Sequence, residues 1–244
     1  MKKINRTLIK LIIDTIMLRR NFLKTAVIGC GASLFPDMLM ARPKKPVPNV
    51  LLLGDSISMG YTKFVQELLQ GKANVQRPLN AKGNFENCQG TTHGLKHIDR
   101  WLGDTKWDVI HFNFGLHDLK HVDPVTGKNS KKPEDPQQAD LKAYKKNLTK
   151  IVKKLKATNA KLIFATTTPF PDKPGGPLRR ADQPEKYNKV ALKIMQKNDI
   201  MINNLYSFTL PRLAELQPPK NVHFTKEGSK ALAKRVVEKI LEVI

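Results

Sequence analysis

The amino-acid sequence predicts an α/β protein built on a parallel sheet that is covered by helices on both faces. Short apolar runs of strand length alternate along the chain with amphipathic segments of helical periodicity, which is the order that such folds require. Apolar residues make up 40% of the 244 residues, enough for a substantial core. No internal repeat is visible, and no uninterrupted apolar run is long enough to cross a membrane.

The order of these segments can be given residue by residue. The predicted strands are residues 50–53, 107–115, 161–168 and 200–205. The predicted helices are residues 62–69, 140–158 and 185–198, followed by a last helix that begins after Thr225 as its N-cap. In parallel α/β sheets, binding sites form where the strands end, so we expect a site among the residues that follow Leu53, Phe114 and Thr168.

The chain is strongly basic, with a formal net charge of +22 from 43 lysines and arginines against 21 acidic residues. Such a charge favours encounter with an anionic polymer or a membrane surface, although a solvated lysine-rich surface has the same composition. The sequence contains few aromatic residues and no recognisable nucleic-acid-binding motif. No nucleic-acid partner is therefore expected.

The N-terminal segment has the layout of a cleavable export leader. Arg19 and Arg20 precede Phe-Leu-Lys, a modest apolar stretch and a proline-rich linker after Ala41, and this order resembles a bacterial Tat signal. We therefore divide the chain into a signal region with its linker, residues 1–46, and one domain, residues 47–244. The protein is expected to be periplasmic or secreted.

Two features of the leader leave alternatives open. Cys30 follows Val-Ile-Gly in a sequence that looks like a lipobox, which would make Cys30 a lipid-anchored N-terminus. Met17 stands just before the twin arginine and is an alternative start to Met1. Because Cys88 is the one cysteine outside this leader, no internal disulfide is expected.

Ser56 is the candidate nucleophile. It follows the first predicted strand in the sequence Gly-Asp-Ser-Ile, and a serine between a strand end and a helix start exposes its hydroxyl. The N–H groups of that helix start would face the oxyanion that forms during acyl transfer. His223, on a loop just before the last helix, is the candidate base that takes the serine proton and returns it to the leaving group.

Four segments, in the expected order, resemble the sequence blocks of the SGNH/GDSL hydrolases. The similar positions are Gly54-Asp55-Ser56-Ile57 in the first block, Gly90 in the second, Gly115-Leu116-His117-Asp118 in the third and His223 in the last. The resemblance implies a flavodoxin-like three-layer α/β/α sandwich and ester hydrolysis through an acyl-enzyme. It also implies an oxyanion hole formed by the N–H groups of Ser56 and Gly90 together with the side chain at position 117.

Two positions depart from the family pattern. The third block normally reads Gly-x-Asn-Asp, with His117 here at the asparagine position, and the last block normally reads Asp-x-x-His, with Lys220 at the aspartate position. A neutral imidazole still has one N–H donor, so His117 is expected to complete the oxyanion hole. A carbonyl of residues 217–221 or the Asn221 side chain is expected to orient His223. Asp55 and Asp118 are expected to support the site structurally.

A metal site is the rival interpretation of the histidines. His117, Asp118 and His121 lie close together in the sequence, and His93 and His97 have i, i+4 spacing. Two histidines at that spacing can bind zinc when they lie on a helix. Because no helical pattern is evident around either pair, the sequence predicts no metal and no other cofactor.

Together these features predict an exported serine esterase that hydrolyses small acyl esters, with acetyl groups on a polysaccharide as the leading substrate. A lipase or lysophospholipase is one alternative, although no long apolar lid segment is present. The other is a non-catalytic glycan- or envelope-binding protein on the same scaffold, an alternative that the departures at His117 and Lys220 leave open.

Overall fold

Five parallel strands form the sheet at the centre of the structure, a computed structural model that describes residues 46–244. The strands are β1 (Asn49–Leu53), β2 (Asn74–Gln76), β3 (Val109–Phe112), β4 (Lys161–Ala165) and β5 (Met201–Asn203). They lie in the order β2-β1-β3-β4-β5, and every neighbouring pair is parallel. This is the doubly wound order of flavodoxin-like folds, so the predicted fold class is confirmed.

Helices connect the strands and cover both faces of the sheet. They are α1 (Ser56–Leu68), α2 (Thr91–Leu102), α3 (Leu141–Lys156), α4 (Gln183–Lys197), α5 (Leu205–Thr209), α6 (Leu213–Leu216) and α7 (Lys226–Leu241). Side-chain caps explain where several of them begin, because Asp55, Asp140 and Thr225 each accept a hydrogen bond from a backbone N–H in the first turn of α1, α3 and α7.

Alternating side chains of the strands divide the core into two layers. Leu51 and Leu53 of β1 face one side of the sheet, while Val50 and Leu52 face the other. The first layer includes apolar side chains of α2, α3 and α4, namely Ile98, Trp101, Leu148, Ile151, Tyr187 and Ala191. The second layer includes apolar side chains of α1 and α7, namely Tyr61, Val65, Leu232, Val236 and Ile240.

The sheet order places a topological switch point between β1 and β3. The chain leaves β1 toward the edge strand β2, whereas it leaves β3 toward β4 and β5 on the other side. In doubly wound sheets the crevice at such a point is the usual binding site. Ser56 follows β1 and His117 follows β3, so both residues lie at the carboxyl ends of these two strands.

The structure contains elements that the sequence pattern did not predict. β2 has three residues, of which only Val75 is buried, so it shows no apolar run. The buried residues of α2 are Thr91, Gly94, Ile98 and Trp101, and the small and polar members of that stripe hide its helical period. The short helices α5 and α6 were also missed.

The predicted leader lies outside the described residues, together with Met17, Arg19, Arg20 and Cys30. Among residues 46–244, no helix is both long enough and apolar enough to cross a membrane.

Candidate active site

Ser56 and His223 are brought together across the carboxyl edge of the sheet. The hydroxyl Oγ of Ser56 lies 2.9 Å from Nε2 of His223, although 167 positions separate them in the sequence. Ser56 is the first residue of α1, and the preceding Asp55 caps this helix by accepting a hydrogen bond of 2.9 Å from the Ile57 N–H. This cap fixes the first turn of α1 and thereby the position of the nucleophile. Burial raises the pKa of the Asp55 carboxyl group to about 6.

Asn221 orients the imidazole of His223. Its Oδ1 accepts a hydrogen bond of 3.0 Å from the backbone N–H of His223 and lies 3.0 Å from the ring atom Nδ1. A backbone N–H can only donate, so the amide atom facing the ring is the acceptor oxygen, and Nδ1 must carry a proton. The other ring nitrogen, Nε2, then presents its lone pair to the Ser56 hydroxyl, as a general base requires.

Lys220, at the family's aspartate position, is not part of this arrangement. It is exposed, adopts a left-handed backbone conformation with φ of 54°, and its carbonyl accepts a hydrogen bond of 2.8 Å from the Gly175 N–H. Desolvation and then the positive charge of Arg179 hold the pKa of His223 below its usual value. The imidazole is therefore neutral at neutral pH and can accept a proton.

Gly90 lies at the start of α2, held there by Asp118. Oδ1 of Asp118 accepts hydrogen bonds of 2.8 Å from the Thr91 N–H and 2.5 Å from the Thr91 hydroxyl, which caps the helix from outside. A Cβ at position 90 would lie 3.0 Å from the Asp118 carboxyl group, so a larger residue there would push against the group that caps the helix. Burial raises the pKa of Asp118 to about 7.

The two predicted backbone donors of the oxyanion hole, at Ser56 and Gly90, lie on two segments that a hydrogen bond holds side by side. The Cys88 N–H donates a hydrogen bond of 3.1 Å to the carbonyl of Gly54, which joins the segment before Gly90 to the turn before Ser56. The first N–H groups of an α-helix have no acceptor within the helix. The Thr91 N–H is taken by Asp118, whereas the N–H groups of Ser56 and Gly90 have no acceptor among residues 46–244. These two groups are available to a developing negative charge, and their assignment to the oxyanion hole stays a prediction.

His117 lies two residues beyond Gly115, at the end of β3, and is partly buried. A side chain at position 115 would approach the Thr167 hydroxyl to 2.0 Å, so glycine is required where the chain passes the segment that follows β4. Burial, with the charges of Lys120 and Arg179 next in size, lowers the pKa of His117 to about 3. The ring is thus neutral and keeps one N–H donor, while its role in the oxyanion hole stays a prediction.

Arg77, which the sequence analysis did not single out, is buried beneath the nucleophile turn. Its guanidinium group donates hydrogen bonds of 3.0 Å to the Gly54 carbonyl and 2.8 Å to the Glu86 carbonyl, and others to the Ser58 and Thr62 hydroxyls. Nothing in the local sequence distinguishes Arg77 from the other basic residues. Its role could not be predicted because it depends on burial in the folded structure.

Arg179, in the loop before α4, was missed for the same reason. It is 8% exposed, and its Nε donates a hydrogen bond of 3.2 Å to the carbonyl of Leu116, the residue before His117. Its charge acts on the pKa values of Asp55, His117 and His223. Arg179 therefore belongs to the surroundings of the Ser56–His223 pair.

The histidines of the rival metal site are arranged differently from what the sequence suggested. His93 and His97 do lie on a helix, α2, with ring centroids 4.3 Å apart, so the expectation of no helix around them was wrong. His121 turns to its own loop, with Nδ1 2.6 Å from the Asp135 carbonyl oxygen. Within residues 46–244, no three side chains of the His, Cys, Asp or Glu type are grouped so that they could hold a metal ion.

Several solved structures share this fold. The chain is similar to the acetyl xylan esterase AlAXEase, with 17% identity, a TM-score of 0.61 and coverage of 79% of this chain and 99% of that one. It is similar to a lipase/acylhydrolase from Enterococcus faecalis, with 19% identity, a TM-score of 0.61 and coverage of 80% and 95%. A catalytic mutant of an acetylxylan esterase from Geobacillus stearothermophilus gives 16% identity, a TM-score of 0.60 and coverage of 79% and 94%.

The family is shown by sequence. A comparison with curated proteins finds no significant match. The family model for the GDSL-like lipase/acylhydrolase family matches residues 52–231, which include Ser56, Gly90, His117 and His223. The chain therefore belongs to the GDSL-like lipase/acylhydrolase family and is a carboxylic ester hydrolase.

Proposed function

We propose that the protein is an exported esterase that removes acetyl groups from a polysaccharide through an acyl-enzyme on Ser56. The observation that carries the proposal is the chain of contacts from Ser56 Oγ to His223 Nε2 and from His223 Nδ1 to Asn221 Oδ1. This is the arrangement of a nucleophile, a base and a residue that orients the base.

In the proposed reaction, His223 Nε2 takes the Ser56 proton while Oγ attacks the acyl carbon. The oxyanion that forms faces the N–H donors at Ser56 and Gly90 and the neutral ring of His117. His223 then gives the proton to the oxygen of the departing sugar, which leaves an acetyl group on Ser56. Water attacks this ester with His223 again as base, so that acetate leaves and the Ser56 hydroxyl is restored.

One comparison favours a small acyl group. Two of the structures with the same fold are acetylxylan esterases, and this likeness supports the acetyl assignment.

The first test is the loss of activity in Ser56→Ala. Without the hydroxyl no acyl-enzyme can form, so we expect hydrolysis of 4-nitrophenyl acetate and release of acetate from acetylated xylan to fall by several orders of magnitude. The matched control is Ser207→Ala, at an exposed serine of α5, which should keep full activity. Equal activity of wild type and Ser56→Ala would refute the proposed mechanism.

The second prediction concerns pH in Asn221→Asp. The free base His223 is active and its pKa lies below the usual value, so wild-type kcat/KM should rise with pH through a point below about 6.5 and then stay level. A carboxylate beside Nδ1 favours the imidazolium, so the acid limb of the variant should move to higher pH. Asn221→Ala is the control for lost orientation, and it should lower kcat. An acid limb that does not move in Asn221→Asp would contradict the assigned contact.

The third prediction concerns His117. If its N–H stabilises the oxyanion, His117→Ala should lower kcat about 10²–10³-fold with little change in KM. His117→Asn restores an N–H donor and should recover much of the loss, since asparagine is the family residue at this position. A kcat that is intact in His117→Ala would remove His117 from the oxyanion hole.

Export is proposed from the sequence of residues 1–46 alone. Changing Arg19 and Arg20 to lysine keeps the charge but removes the twin arginine, so it should block export, whereas changing Lys2 and Lys3 to arginine should not. N-terminal sequencing of the exported protein should find a start near Ala41 or at Cys30. Retention of Met1 or Met17 in the exported protein would contradict a cleaved leader.

A further inference from the structure

Arg179 is a buried cation without an ion-pair partner within hydrogen-bonding distance. It is 8% exposed, and in the described part of the chain its only hydrogen bond is the one from Nε to the Leu116 carbonyl. Its terminal nitrogens have no partner there, and no carboxylate of residues 46–244 lies within 4.0 Å of them. Neither terminal nitrogen is among the fully buried unpaired atoms of the described residues, so the end of the guanidinium group reaches solvent and is free to bind an anion.

The same side chain lines a cavity of about 520 Å³. The cavity wall is formed by loop residues 172–181 together with Lys131, and its charged members are Arg179 and the exposed Lys131, Lys173 and Arg180 against one acid, the exposed Asp172. A concave site with several cations and one carboxylate has a positive potential that attracts anions.

The cavity wall is tied by hydrogen bonds to both halves of the active site. Arg179 holds the carbonyl of Leu116, next to His117, and the Gly175 N–H donates to the carbonyl of Lys220, three residues before His223. The Leu178 N–H donates a hydrogen bond of 2.7 Å to the Ser130 carbonyl, which fixes the backbone beside Arg179. The cavity wall is therefore fixed to the two loops that carry His117 and His223, and the charge of Arg179 acts on the pKa of both histidines.

We propose that this cavity binds a carboxylate carried by the sugar part of the substrate, with Arg179 as the residue that recognises it. The substrate class is then an acetylated acidic glycan, one that contains uronic acid residues. The planar fork of an arginine matches the two oxygens of a carboxylate, which lysines cannot match. Lys131, Lys173 and Arg180 at the rim would attract further carboxylates of the same polymer. This inference rests on the proposed esterase function.

The experiment compares two substrates that differ only in charge. The first is an acetylated oligogalacturonide, and the second is the same compound with its carboxyl groups methyl-esterified. Released acetate is measured for wild type, Arg179→Gln and Arg179→Lys. The control variant is Arg212→Gln, at an arginine that is paired with Glu215 and lies outside the cavity.

The expected result is a change in preference and not merely in rate. Wild type should favour the charged substrate in kcat/KM, and Arg179→Gln should lower this preference about tenfold to a hundredfold through KM, as for a lost hydrogen-bonded ion pair. Arg179→Lys should recover part of it, and Arg212→Gln should behave as wild type. Equal losses on both substrates in Arg179→Gln, or no wild-type preference, would overturn the inference, since Arg179 would then serve only to hold Leu116.

A binding measurement separates this inference from the proposed function. Calorimetry with Ser56→Ala, with and without Arg179→Gln, measures the affinity for the deacetylated oligogalacturonide and for its methyl ester without any catalysis. Should wild type hydrolyse no ester at all, the esterase proposal fails, yet charge-dependent binding that is lost in Arg179→Gln would still support the anion site. Binding that is equal for the two oligomers would overturn the site whether or not the enzyme is active.

Discussion

The turn that leaves β1 at Gly54 is the constraint on which the active site depends. Its carbonyl accepts hydrogen bonds from the buried guanidinium of Arg77 and from the Cys88 N–H, so one atom joins the nucleophile turn to the segment that leads to Gly90. A Cβ at position 54 would lie 2.9 Å from the Ser58 hydroxyl, so a larger residue there would displace the buried Ser58 side chain. If this turn moved, Ser56 and the start of α2 would move with it, and the backbone donors would lose their common position.

The electrostatics of the site follow from burial combined with a scarcity of negative charge. Desolvation lowers the pKa of His117 to about 3 and also lowers that of His223, while burial raises the pKa of Asp118 to about 7. The base is oriented by the neutral amide of Asn221, and within residues 46–244 no carboxylate is hydrogen-bonded to the imidazole. A neutral partner fixes the tautomer but contributes less to the stability of the imidazolium than a carboxylate would. The positive charge of the nearby Arg179 also lowers the pKa of His223, which keeps the imidazole in its neutral, basic form.

Much of the fold could be predicted from periodicity, and the exceptions have physical causes. β1, β3, β4, α3, α4 and α7 all bury apolar residues with the spacing of their element, and the sequence shows that spacing directly. β2 and α2 were missed because tertiary contacts, not an apolar pattern, stabilise them. α2 begins where Asp118 caps Thr91 from another segment, and Gly94 lets it approach the Phe114 ring closely.

The sequence by itself determined the α/β class, the order of the elements with a clear apolar period, and the positions of the family blocks. Ser56 and His223 could be named because each follows or precedes a recognisable element. Only the tertiary structure decided between a nearby carbonyl and the Asn221 side chain as the partner of His223 Nδ1, and only it shows that Arg77 and Arg179 are buried among many exposed cations. The reason is that burial and hydrogen-bond partners depend on contacts between segments far apart in the chain. The sequence around an arginine does not show whether that arginine is buried or exposed.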